Sequence, residues 1–194
     1  MRSAAYTLSR EATRTMSLMS LKEGMLRNKK YRRLINSFAN NQLFKIPFNK
    51  YKEEVMTLHT ARTVRTLIKY TVGGSDKLAD QIIKANLIDQ GQRSRLVEIM
   101  MHCHRASNAI ADAVKVFKTY ALIKYDAQLR SFKTKDERTG ALDAILCDML
   151  EYKAEAESLY ALCEIVVKDI DAAGFSLKRT IDALSLSTAR ERRI

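Results

Sequence analysis

Residues 142–170 read LDAILCDMLEYKAEAESLYALCEIVVKDI, and their spacing decides the fold. Leu142, Ile145, Met149, Tyr152, Ala156, Leu159, Cys163, Val166 and Ile170 follow one another at alternating steps of three and four. Side chains so spaced share one stripe of an α-helix. A second run does the same upstream: Leu96, Ile99, Cys103, Ala106, Ile110, Ala113, Phe117 and Tyr120. Between the stripes lies KTKDERTG (133–140), polar and ending in glycine, the natural place for a turn. The spacing predicts two helices over 93–132 and 138–172, an antiparallel hairpin with arms of about 60 and 50 Å at 1.5 Å per residue. Further apolar residues (Met100, Val114, Ala121, Leu146, Leu162) lie off the stripes. Self-association or the N-terminal segments would have to cover them, and self-association is the expectation.

The composition agrees with an all-α class. One proline and six glycines in 194 residues leave too few breakers for regularly spaced strands. Upstream, residues 49–72 show a looser helical pattern that stops at Gly73-Gly74, and Ser75 is a plausible N-cap for the stretch that follows. Pro47 places an extended segment near 40–50. We therefore expect a basic N-terminal helical region over 1–90 and a hairpin domain over 91–194.

Charge is uneven. Residues 1–70 hold 15 Lys/Arg against 4 Asp/Glu, whereas 71–194 hold 19 against 18. A block of net +11 seeks a polyanion: nucleic acid, an anionic membrane surface or an acidic protein face. In LRNKKYRRLINSFANNQLFKIPFNKYK the cations Arg27, Lys29, Lys30, Arg32, Arg33, Lys45, Lys50 and Lys52 alternate with Tyr31, Phe38, Phe44, Phe48 and Tyr51. Cations track phosphates, and rings offer stacking surfaces to unpaired bases. The same rings could instead pack into a small helical core. A second basic stretch comprises Lys124, Arg130, Lys133, Lys135 and Arg138. Repeated around an oligomer, weak phosphate contacts there would become tight, salt-dependent binding.

Catalytic chemistry is not indicated. His102 and His104 flank Cys103, but residues two apart on a helix face away from each other, so no shared metal is expected. There is no phosphate-cradling glycine loop and no nucleophile elbow. We expect no enzyme activity and no cofactor. Eight acids in 140–172, against Lys153 and Lys168, form either a solvated face or a partner-binding one. Three cysteines without CxxC spacing suggest reduced thiols in a cytoplasmic compartment. No apolar run is long enough to span a membrane. Arg2, Arg10 and Arg14 among Ser and Thr are faintly like a mitochondrial presequence, against which Glu11 and Glu23 argue.

Near the C-terminus, DAAGFSLKRTIDAL (171–184) places Gly174 after the seam residue Ile170, and Leu177, Ile181 and Leu184 then restart an apolar face. The spacing predicts a glycine hinge into a short docking helix that holds neighbouring subunits, with Phe175 as its anchor.

Residues 95–190 as a whole resemble the UvsY-like recombination mediators of phages. The likeness lies in the order of elements: an Ala- and Lys-rich helix ending in a basic segment, a second long helix, then a glycine–aromatic–apolar–basic signature matched here by Gly174, Phe175, Leu177 and Lys178. The resemblance implies a non-enzymatic, ring-forming homo-oligomer in the host-cell cytoplasm. It would bind single-stranded DNA and help a RecA-like recombinase displace the single-strand-binding protein. The alternative is a structural or assembly subunit of a phage or organellar nucleoprotein complex, using the same seams to dock another chain.

Overall fold

The chain is described here from a computed structural model covering residues 15–68 and 75–191, with side chains over 15–61, 83–179 and at Asp182. The described residues are mostly helical and contain no strand. In order they form α1 (15–26), α2 (Lys29–Asn40), a 3-10 turn (Gln42–Phe44), α3 (Phe48–Ile68), α4 (Ser75–Lys124), α5 (Asp126–Leu129), α6 (Lys135–Ile145) and α7 (Cys147–Glu191). The fold class is all-α, as the composition implies. No helix among the described residues is long and apolar enough to cross a membrane. Gly73-Gly74 and the arginines at 2, 10 and 14 lie outside the described residues.

The helices belong to two compact units, and the boundary expected at 90/91 falls inside α4. The first unit comprises 1–46 and 105–156, the second 47–104 and 157–194. Both α4 and α7 contribute to each, because an apolar stripe that runs the length of a helix can serve two cores in succession.

In the first unit, Leu21 and Met25 of α1 and Tyr31 of α2 are buried with Ile110, Val114, Phe117 and Ala121 of α4 and Leu142, Leu146 and Met149 beyond the turn. The expectation that self-association would cover Val114, Ala121 and Leu146 is thereby corrected. The N-terminal helices of the same chain cover them, since Leu21, Met25 and Tyr31 supply the missing apolar surface.

The turn between the long helices is also displaced from 133–140. Helix α4 ends at Lys124, α5 adds one turn, and the connection runs from Arg130 to Thr134. Helix α6 begins early because Thr134 and Glu137 form a capping box: the Thr134 hydroxyl accepts from the Glu137 backbone, and the Glu137 carboxylate accepts from the Thr134 backbone. Two orphan donors are thus satisfied at the helix start. Gly140 is consequently interior to α6. A break at Leu146, whose N–H is shared between the Leu142 and Asp143 carbonyls, separates α6 from α7 without displacing the stripe. Residues 45–47 are the non-helical stretch around Pro47, and the Pro47 carbonyl accepts the first helical bond of α3 from Tyr51.

In the second unit, Phe48 and Val55 of α3, Leu96, Ile99 and Cys103 of α4, and Leu159, Cys163, Val166 and Ile170 of α7 are buried. Arg95 fixes α3 to α4, donating from Nε to Glu54 at 2.7 Å and from Nη1 to Glu98 at 2.7 Å. Helix α7 runs uninterrupted through Gly174 to Glu191, so the glycine hinge and the separate docking helix are corrected. One interior glycine costs a helix only about 1 kcal/mol relative to alanine, which strong helix formers on either side absorb. Phe175 is not an anchor within the chain; it is 72% exposed.

Candidate nucleic-acid interface

The first unit concentrates the charge. Its described residues, 15–46 and 105–156, hold 16 Lys/Arg against 9 Asp/Glu, while the second unit's hold 12 against 12. Both basic stretches read from the sequence contribute to this excess, because α1 and α2 pack on the part of the chain that carries Lys124 to Arg138.

Helix α2 shows how the sequence builds a cationic surface. Tyr31, Leu34, Ile35 and Phe38, at i, i+3, i+4 and i+7, face the core, which leaves Lys29, Lys30, Arg32 and Arg33 exposed. Asn28 caps the helix, its side-chain oxygen accepting from Lys30 N at 2.8 Å and Tyr31 N at 3.4 Å. Four cations therefore crowd the positive end of the helix dipole with no acid in the first turn. Exposed cations there are unfavourable by about 0.3–1 kcal/mol each, so helix stability does not account for the positions of Lys29, Arg32 and Arg33. A bound phosphate would reverse the sign of that interaction.

Tyr120 of α4 and Tyr125, in the turn just after it, hold this corner. The Tyr120 hydroxyl accepts from Asn28 Nδ2 at 2.9 Å, and Lys30 Nζ lies 4.2 Å from the Tyr120 ring centroid. The Tyr125 hydroxyl donates to the Gly24 carbonyl at 3.3 Å. Lys124, exposed, lies one turn beyond Tyr120 and immediately before Tyr125. Lys30 stands against the Tyr120 ring, Arg27 and Lys29 are its near neighbours in sequence, and all three are exposed, as is Lys124. Sequence spacing did not single out Asn28, Tyr120 or Tyr125 as organisers, although asparagine directly before KKYRR is a legible N-cap signal.

The second basic stretch divides by role. Lys133 and Lys135 are exposed and point into solvent. Arg130 pairs with Asp126 at 2.9 Å, and Arg138 donates to the Phe132 carbonyl at 3.1 Å and stands 3.7 Å from Asp126. Those two arginines brace the turn.

Lys45 remains in the first unit and is exposed, but Lys50 and Lys52 belong to α3 in the second. The rings proposed for base stacking are committed within the chain. Tyr31 and Phe48 are 3% and 8% exposed, Tyr31 lying 5.3 Å from Phe117. Burial also pushes the Tyr31 hydroxyl pKa above its ordinary value. Phe38 and Phe44, 5.1 Å apart, both meet Tyr152 edge-on, and Tyr51 carries the Arg95 guanidinium 5.4 Å from its ring centroid. Tyr31 and Phe48 fit the core-packing alternative, whereas Phe38, Phe44 and Tyr51 are half-buried against neighbouring side chains.

Of the residues proposed for oligomerisation, Phe175 is exposed and Leu177 half-buried; the side chains of Ile181 and Leu184 lie outside the described residues. Cys103 packs in the seam and is fully buried, as the stripe predicts. Compared with protein-family models, with curated proteins and with solved structures, the chain finds no match.

Proposed function

We propose that this chain is a non-enzymatic nucleic-acid-binding accessory protein that grips the phosphate backbone through its first unit. The observation that carries the reading is that two sequence-distant basic stretches contribute to one unit of net +9, 19 Lys/Arg against 10 Asp/Glu, while the second unit carries +3, 15 against 12. The exposed cations Lys29, Arg32, Arg33, Lys124, Lys133 and Lys135 are the phosphate contacts. With the rings turned inward, affinity comes from counterion release rather than base stacking. The specific role is that of a recombination mediator acting on single-stranded DNA, together with a RecA-like recombinase and a single-strand-binding protein. That role rests on the order of elements and on the Gly174–Lys178 signature.

The test is an anisotropy titration of the full chain with a labelled single strand and with its duplex, each at several salt concentrations. Affinity should fall steeply with salt, with a log–log slope of roughly −0.7 per phosphate contact on a single strand and roughly −0.9 on duplex. Binding absent at low salt for both would overturn the reading. The complete chain is needed, since a cut at residue 90 would sever α4.

A structural or assembly subunit is the second reading, favoured by exposed apolar side chains on α4: Ile83 and Leu87 are 57% and 63% exposed. A defined homo-oligomer in solution supports the mediator, and a chain that assembles only when another protein is added supports the subunit.

A further inference from the structure

An open cleft of about 530 Å³ lies in the second unit between α4 and α7. Its α4 wall carries Asn86, Asp89, Gln90 and Arg93; its α7 wall carries Ile170, Asp171, Gly174, Phe175 and Lys178. Arg93 closes one end, Nε donating to Asp171 at 2.8 Å and Nη2 at 3.3 Å. A Cβ added at Gly174 would meet nothing within 4 Å, so the surface there is open, and the adjacent Phe175 ring is 72% exposed. Ile83, on the same α4 stripe as Asn86 and Gln90, extends the apolar character beyond the cleft.

We infer that this face is a homotypic contact in which α7 of one chain lies antiparallel to α7 of a second copy, on a two-fold axis between Gly174 and Phe175. The register of the sequence carries the inference. Asp171, Gly174, Phe175 and Lys178 share one helix face, at i, i+3, i+4 and i+7. About an axis between the middle two, Phe175 of each copy falls opposite Gly174 of the other, and Asp171 opposite Lys178 on both sides. The exposed ring meets the open slot, and the anion meets the cation. Isologous contacts require such self-complementarity, because each element must match its own reverse. Asp171 keeps its bonds to Arg93, since each carboxylate oxygen has a second lone pair for the incoming ammonium.

Charge also selects a second copy as the occupant. The cleft itself is balanced, Asp89 and Asp171 against Arg93 and Lys178, and the second unit carries +3 where the first carries +9, so two copies meet here with little repulsion. A polyanion has no reason to choose a neutral, partly apolar cleft over the basic first unit. The contact is closed and gives a dimer. It does not depend on whether the first unit binds nucleic acid.

Sedimentation velocity of the full chain at high salt without nucleic acid tests it, so a failure here leaves the titration above untouched. The wild type should form a concentration-dependent dimer. Phe175→Ala should raise the dissociation constant tenfold or more. Gly174→Leu should raise it as much, by filling the slot, while leaving thermal stability unchanged or higher because leucine favours helix. Lys178→Glu should weaken the dimer and Lys178→Arg preserve it. A wild type that stays monomeric at every concentration overturns the inference. So does a dimer whose dissociation constant is unmoved by both Phe175→Ala and Gly174→Leu.

Discussion

The Lys30 ammonium stands 4.2 Å from the centroid of the Tyr120 ring, while the Asn28 amide donates to that ring's hydroxyl at 2.9 Å. One α4 side chain thus holds the start of α2 by its face and by its rim. The consequence is a division of labour among neighbouring cations: Lys30 fastens the helix, whereas Lys29, Arg32 and Arg33 are presented to solvent.

That division can be separated by measurement. Lys30→Ala should lower stability by about 0.5–1 kcal/mol, the value of an exposed cation–π contact. Lys29→Ala, Arg32→Ala and Arg33→Ala should leave urea unfolding nearly unchanged. Each should instead flatten the salt slope of nucleic-acid binding by roughly 0.7–0.9. Tyr120→Phe keeps the ring and loses the Asn28 bond, which should cost about 1 kcal/mol. Equal slopes across all four cation variants would show that no division exists.

At the turn, the same logic separates arginines from lysines. Thr134→Ala removes half of the capping box and should cost about 1 kcal/mol. Arg138→Ala removes the donor to the Phe132 carbonyl and should cost about 1–2 kcal/mol. Lys133→Ala and Lys135→Ala should change unfolding by less than about 0.5 kcal/mol, as surface substitutions do. Urea melts on the four variants decide the order.

The stripes were legible because burial enforces period: Leu96, Cys103, Leu142, Leu159 and Cys163 all reach 0% exposure at their expected positions. The turn was less legible because KTKDERTG looks loop-like by composition, whereas Thr134 and Glu137, three apart, act as a helix start. Gly174 misled for the opposite reason. A glycine stops a helix only when the chain uses its left-handed conformation, and sequence alone does not say whether it does. The aromatics of 31–51 looked equally suited to bases and to a core; which of them faces inward depends on partners distant in sequence, such as Phe117 for Tyr31 and Tyr152 for Phe38.

The thiols give a prediction with a definite sign. Burial pushes the Cys103 thiol up to about 11 and, with Cys103 nearby, Cys163 up to about 12. Their unfolded values lie near 9, so the folded chain binds more protons between those limits. Stability is therefore full below pH ~9 and falls as pH rises toward ~11–12. Cys103→Ala/Cys163→Ala should be less stable at neutral pH, by about 1–3 kcal/mol for the packing lost, with a shallower alkaline decline. In the native wild type a thiol reagent should modify only Cys147, which is exposed, and all three after unfolding.

On the acid side, the pair of Glu54 and Arg95 gives a second prediction of definite sign. The Arg95 guanidinium donates to both Glu54 oxygens, at 2.7 and 3.2 Å, and holds that carboxyl below the usual range. A depressed carboxylate contributes stability that is present above its unfolded value and lost as pH falls through the folded one. Glu54 is partly exposed, so the pair is worth no more than about 1 kcal/mol. Glu54→Gln should therefore cost at most about 1 kcal/mol at neutral pH, and the gap to wild type should close on acidification. Urea melts from neutral pH down to about pH 3 make the comparison. The decisive outcome is the difference curve: a gap that persists undiminished at the acid end would mean that Glu54 stabilises the chain by packing rather than by charge.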